Sequence, residues 1–278
     1  MNPFSGMNRR LLSLALFVRL ALTAFSADTP PSSAPSSTST NWINPKDGME
    51  FVWVPSAHLD TNGVSPGSPT TAKAAGANGF WLGRTEVTVA QFRRFATATG
   101  YVTDAEQATN RWTWKQPGFP QANDHPVVWL SWNDALRYAR WAGVDLPTES
   151  EWLDACGADV ISRCFRGNTV EDDIAWHRGN ASDGTRPVAT RRPNARGLHD
   201  LLGSAYEWCR LEECYGAGEG AAGYPRGGSW TRCPDRFLYD LPTLGGPRYA
   251  VIPYDDDRGF RCIRRGEELG SAAGKPAR

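Results

Sequence analysis

The residues best equipped for chemistry in this chain are its six cysteines and the side chains that precede one of them. Cys233 follows the run Arg226-Gly227-Gly228-Ser229-Trp230. A thiol in such a setting can pair as a disulfide or, as the thiolate, hold a soft metal ion. Six cysteines in an exported chain read first as disulfides, a use that outweighs metal pairing in that compartment. The residues themselves assign no partner to Cys164, Cys209, Cys214 or Cys233. The four histidines, His58, His125, His177 and His199, show no two-histidine spacing of a helix-borne metal site. Asp255-Asp256-Asp257 reads as a solvated acidic loop. No Gly-rich phosphate loop is present. Trp112-Thr113-Trp114, with Trp129 and Trp132, could line a groove for peptide or sugar, although aromatics at this density more often build a core.

The elements that must position these groups are few. Met49 to Val54 alternates as a strand does, and Phe80-Trp81-Leu82 is a second short apolar run. Thr88 and Gln91 form a capping box for a helix that presents Val89, Phe92, Phe95 and Ala96 on one face and stops at Gly100. Ser131 opens a second helix, with Asp134 in its first turn and Gly143 at its end. Thr148-Glu149-Ser150-Glu151-Trp152 opens a third after Pro147. Beyond Cys156 the chain is punctuated by Gly and Pro, and only short strands are expected, around Tyr224–Trp230 and Gly259–Ile263.

The N-terminus reads as an export signal over residues 1–27. Arg9 and Arg10 precede an apolar run, and Ala24-Phe25-Ser26 offers a small-x-small cleavage site. Arg19 interrupts the apolar run, and either Met1 or Met7 serves as the start. Residues 28–41 are rich in Pro, Ser and Thr and cannot bury enough apolar surface to order themselves. Residues 266–278 form a second disordered tail. One folded domain is therefore expected over 42–265. With 30 basic and 30 acidic residues the chain has no net charge, which excludes the one-signed field that nucleic-acid binding requires. No segment after the signal is apolar for long enough to span a bilayer.

Several blocks, taken in order, identify a family. They are Gly48-Met49-Glu50-Phe51-Val52, Thr85-Glu86-Val87-Thr88, Asp124-His125-Pro126-Val127-Val128 with Ser131-Trp132, and Leu146-Pro147-Thr148-Glu149-Ser150-Glu151-Trp152. Pro193-Asn194, Glu207-Trp208, Arg226 to Trp230 and Gly259-Phe260-Arg261 follow. The set resembles the formylglycine-generating enzyme family, also called sulfatase-modifying factor domains. The resemblance implies a single α+β domain of C-type-lectin-like fold with little regular secondary structure. It implies an exported protein and, as partner, a sulfatase or another exported protein with a target cysteine that is oxidised to formylglycine with copper and oxygen. It also implies a Cys156–Cys262 disulfide, which would contribute about 4 kcal/mol in the chain-entropy picture.

The resemblance places Ser229, Trp230 and Cys233 at the active site. Family catalysts hold Cu(I) between two thiolates five residues apart, because this soft ion prefers sulfur. In this chain Cys233 stands one residue later than the first ligand, and Leu238 stands where the second thiolate would be. Either Cys209 or Cys214 could restore the pair from the loop after Glu207-Trp208. Structural calcium is implied near Asn180, Asp183, Asn194 and Glu207, with Ser204 in place of a family Asn ligand; otherwise these residues cap turns. The alternative to an oxidoreductase is a non-catalytic binding or accessory module on the same fold.

Overall fold

A computed structural model of the chain describes residues 41–55, 79–157, 172–181, 183–210, 223–232 and 254–266. All lie within one unit, Ser39–Arg278. The expectations for residues 1–40 and for Cys164, Cys214, Cys233 and Leu238 fall outside the described residues.

Among the described residues, two small sheets and four helices carry the fold. Strands β1 (Trp42–Ile43), β2 (Glu50–Pro55), β3 (Gly79–Gly83) and β7 (Ile263–Arg265) form an antiparallel sheet in the order β1-β2-β3-β7. Strands β4 (Tyr206–Arg210), β5 (Gly223–Arg226) and β6 (Arg258–Gly259) form the second, in the order β5-β4-β6, with β4 antiparallel to β5 and parallel to β6. The larger sheet is apolar on both faces, because side chains alternate along a strand. Phe51, Trp53 and Trp81 enter one core cluster with Phe92, Phe95, Tyr138 and Phe260. Val52, Val54, Phe80, Leu82 and Ile263 enter a second cluster with Trp152, Leu198 and Leu201. Trp53 and Trp81 are directly paired across β2 and β3, their rings 5.3 Å apart.

The capping residues set where each helix starts. In α1 (Val89–Thr99), α3 (Trp132–Ala142) and α4 (Glu149–Cys156), the boxes Thr88/Gln91, Ser131/Asp134 and Thr148/Glu151 are all closed. Gly100 and Gly143 end α1 and α3 in the left-handed conformation that glycine adopts without strain. A four-residue helix, α2 (Asp104–Gln107), uses a fourth box, Thr103/Glu106. The strand expected over Tyr224–Trp230 is confined to Gly223–Arg226, and the one expected over Gly259–Ile263 is divided between β6 and β7. No described helix is long and apolar enough to cross a membrane.

Asp134 does more than cap α3. It is fully buried, accepts from the Ser131 and Asp104 backbone N–H groups and from the Tyr101 hydroxyl at 2.8, 3.1 and 2.9 Å, and so ties α3 to the segment before α2. Burial, with the Asp104 charge adding to it, pushes its carboxyl up to about 6. The folded state therefore keeps a proton that an unfolded aspartate releases near pH 4. This term favours folding below that pH and is lost as pH rises toward about 6. The Asp134→Asn variant is expected to flatten that part of the stability curve, measured as the wild-type-minus-variant difference in urea midpoint between pH 4 and 7. A difference independent of pH would contradict this reading.

Candidate functional site

The Arg226–Trp230 run leaves β5 through Gly227 and Gly228, both with positive φ (97° and 77°). A Cβ on Gly227 would stand 2.7 Å from the Leu201 carbonyl oxygen and 3.1 Å from the Trp152 ring, so the backbone passes where only glycine fits. The turn delivers Ser229 to a buried hydrogen-bond triangle. The Ser229 and Thr231 hydroxyls both donate to Asp257 Oδ2, at 2.8 and 2.7 Å, and lie 2.9 Å from each other. Ser229 is fully buried and Asp257 is 4% exposed. Asp257 is thus a buried acceptor rather than part of a solvated loop, a correction to the sequence expectation. Nothing local in an Asp-Asp-Asp run signals a hydroxyl partner 28 residues away.

Trp230 closes the side of this triangle. Its indole donates to the Asp256 carbonyl at 3.2 Å, its backbone N–H donates to the Ser204 carbonyl at 2.9 Å, and its ring meets Phe119 edge-on at 5.2 Å. The Asp255, Asp256 and Asp257 carboxylates lie within 4.8 Å of one another. Burial, reinforced by its two neighbours, pushes the Asp256 carboxyl up to about 6. Trp129 supports the same loop in a left-handed backbone conformation (φ 63°) that is rare for a bulky residue; its N–H donates to the Asp255 carbonyl at 2.9 Å. Of the three residues assigned to the active site, Ser229 and Trp230 are therefore adjacent to one acidic loop, while Cys233 lies outside the described residues.

The described thiols are buried in the two core clusters. Cys209 is central in β4, fully buried in the second core cluster, and burial pushes its thiol well up. A thiol so placed is not an accessible thiolate. The Cys156–Cys262 bridge is not formed in this structure: Cys262 is a free thiol. The reason is the alternation at the start of β7. Cys262 faces the first core cluster, whereas its neighbour Ile263 faces the second, where Cys156 packs with Cys209.

The four residues singled out for calcium do not share one centre. Asn180 Oδ1 accepts from the His177 N–H at 2.8 Å. Asp183 is exposed and pairs with Arg186. Asn194 Oδ1 accepts from the Arg196 and Leu198 N–H groups at 3.0 and 3.1 Å, and its amide donates to the Ala155 carbonyl at 2.9 Å. The two asparagines thus close turns. Glu207 belongs to a different arrangement. It takes two bonds from Arg261, at 2.6 and 2.7 Å, and a third from the Trp152 indole at 2.7 Å, all fully buried. Arg261 also donates to the Gly83 and His199 carbonyls, at 3.0 and 2.9 Å. Glu86 and Asp200, both buried, face the same guanidinium. Burial pushes the Glu86 carboxyl well above the ordinary range, and the Asp200 and Glu207 charges add to the rise.

Comparison with known proteins places this arrangement. Residues 42–266 match the model of the sulfatase-modifying factor enzyme 1-like domain. The chain is 31% identical over 255 residues to the formylglycine-generating enzyme of Streptomyces coelicolor, covering 70% of this chain and 81% of that one. It is 26% identical to the mouse formylglycine-generating enzyme, covering 69% and 67%. It is also 31% identical over 182 residues to the bovine inactive C-alpha-formylglycine-generating enzyme 2, covering 59% and 57%. Among solved structures, PvdO from Pseudomonas aeruginosa superposes with a TM-score of 0.52 at 23% identity, covering 81% of this chain and 98% of that one. These findings define a mixed helix-and-sheet domain of the sulfatase-modifying type. The chain belongs to the formylglycine-generating enzyme (sulfatase-modifying factor) family.

The buried thiols give a direct test of the site geometry. In the native protein, alkylation of Cys209 and Cys262 by iodoacetamide is expected to run at least about 100-fold slower than in the unfolded chain, because attack requires an ionised and accessible sulfur. Peptide mapping that found either residue modified as fast as in the unfolded chain would contradict the placement.

Proposed function

We propose that this chain is an exported member of the family that engages a cysteine-bearing segment of an exported protein, such as a sulfatase, beside Ser229 and Trp230. In this reading Cys233 is a lone thiol, and the chain lacks the two-thiolate Cu(I) site of the family's catalysts. The observation that carries the reading is the burial of Cys209 in β4. Cys209, one of the two thiols that could have restored the pair, is part of the core, and Leu238 occupies the family position of the second ligand. One thiolate is a poor holder of Cu(I). We propose likewise that the domain has the C-type-lectin-like fold and that the chain is exported.

A second reading, a copper- and oxygen-dependent oxidoreductase acting on a protein cysteine, is favoured by the relatives named formylglycine-generating enzyme, one of which is matched over 81% of its length. The relative labelled inactive matches 59% of this chain and is matched over 57% of its own length, and it sits on the side of the binding-module reading.

An anaerobic Cu(I) titration of the reduced protein against a competing chelator, run beside Cys233→Ser, separates the two. The proposal expects no tight one-to-one complex in either protein, together with binding of a peptide that carries a sulfatase cysteine motif, weakened at least about tenfold by Trp230→Ala. Tight stoichiometric Cu(I) binding lost in Cys233→Ser would overturn the proposal and establish a rebuilt copper site.

A further inference from the structure

Positive charge gathers beside the candidate site, although the chain as a whole carries none. Residues 178–196 hold five arginines and one acid, Asp183. Arg186 pairs with Asp183, Arg192 with Asp173 and Arg196 with Asp154. Arg178 and Arg191 make no ion pair and no side-chain hydrogen bond among the described residues. Arg178 is exposed and Arg191 half-buried. The buried Asp200 carboxyl feels the Arg191 charge without bonding to it. Arg191 is nevertheless held. Its guanidinium carbon stands 3.4 Å from the centroid of the Trp176 ring, and that of Arg186 approaches the same ring at 5.8 Å. The Arg191 Nε is buried and unpartnered, so stacking rather than hydrogen bonding orients the group. Trp176 is fixed in turn, its indole donating to the Thr190 hydroxyl at 3.0 Å.

Backbone hydrogen bonds set this patch against the turn that carries Trp230. The Ser204 N–H donates to the Trp176 carbonyl at 2.8 Å, and the Ser204 carbonyl accepts from the Trp230 N–H at 2.9 Å. The Arg178 N–H donates to the Arg232 carbonyl at 3.0 Å. Residues 176–178 and 230–232 are thus neighbours. A guanidinium already stacked on an aromatic ring has little freedom left to lose when it binds, and its terminal N–H groups form a planar fork that matches a carboxylate. The exposed Arg186–Asp183 pair is of the kind that contributes little, so Arg186 can exchange its partner for a carboxylate of a bound chain.

We propose that Arg178, Arg186 and Arg191, arranged about Trp176, form a docking surface for an acidic stretch of the protein that this chain engages. The surface gives the site a preference for a cysteine flanked by Asp or Glu. This inference rests on the reading that a cysteine-bearing segment is received beside Trp230. The occupant is a polypeptide and not a lone anion, because the charge is spread over three side chains and stands next to the turn assigned to a peptide. Complementary charge of this kind selects partners and speeds their encounter.

The test is fluorescence anisotropy with two labelled peptides that share a sulfatase cysteine motif, one flanked on both sides by Glu and the other by Gln. At low ionic strength the Glu-flanked peptide is expected to bind at least about tenfold more tightly. The preference should shrink as sodium chloride is raised, because exposed charges are screened. It should largely vanish in Arg191→Gln and persist in Arg264→Gln, which removes an arginine stacked on Trp42 at 4.4 Å in the four-stranded sheet. Arg178→Gln, at an exposed position, should lower the preference at least about threefold and carries the test if Arg191→Gln does not fold. No measurable binding of the Glu-flanked peptide, equal Kd values for the two peptides, a preference unchanged in Arg191→Gln and Arg178→Gln, or one lost equally in Arg264→Gln would each overturn the proposal. Trp230→Ala separates this inference from the reading beneath it. It should weaken both peptides and leave the ratio between them. If it leaves both Kd values unchanged while the Arg191-dependent preference persists, the Trp230 reading fails and the docking surface stands.

Discussion

The Arg261–Glu207 ion pair is the constraint around which the rest of the molecule is arranged. Both partners are fully buried, and the pair is bidentate. Taking two charges out of water costs several kcal/mol per ion and is tolerated only where the remaining donors and acceptors are also used. Here they are. The guanidinium reaches the Gly83 carbonyl at the end of β3 and the His199 carbonyl, while the Trp152 indole of α4 completes Glu207. One side chain thus binds the four-stranded sheet to the three-stranded sheet, and both to α4 and the loop before β4. In a domain with so little regular structure, such a polar centre replaces the long ladders that would otherwise fix the geometry.

The candidate site inherits its order from that centre. The loop from Leu198 to Ser204 is held by Arg261 at one end, and at the other it accepts the Trp230 N–H. Close backbone passages at Gly203 and Gly227 leave the Arg226–Trp230 run little freedom to move. Ser229 then meets Asp257, which lies four residues before Arg261 in the same chain segment. The chemistry that results is rich in carboxylate and hydroxyl oxygen. The described thiols have been drawn into the two cores, where burial disfavours the thiolate.

Much of this is legible in the amino-acid sequence, and the division follows a physical rule. Capping boxes are local, so Thr88, Ser131 and Thr148 announced their helices, and Gly100 and Gly143 announced the ends of two of them. The alternation of β2 was visible for the same reason. The family blocks, read together, led to the domain. The contacts that escaped are long-range and polar. Tyr206–Arg210 gave no strand signal because all five residues are buried, two of them charged, and no alternation survives. Glu86 and Asp257 looked like ordinary acids until the fold brought Arg261 to one and Ser229 to the other. The Cys156–Cys262 pairing failed on a parity that only the register of β7 reveals: one residue along a strand reverses the face.

The most direct test of the central constraint is a double-mutant cycle on Glu207 and Arg261, with Glu207→Gln, Arg261→Met and the double variant compared in urea unfolding. Each single change should destabilise by about 3–5 kcal/mol, since it strands a buried partner. The double variant should lose clearly less than the sum, with a coupling of roughly 2 kcal/mol or more. Additive losses, or single variants within about 0.5 kcal/mol of the wild type, would contradict the account, for the two sheets would then be joined by something other than this pair.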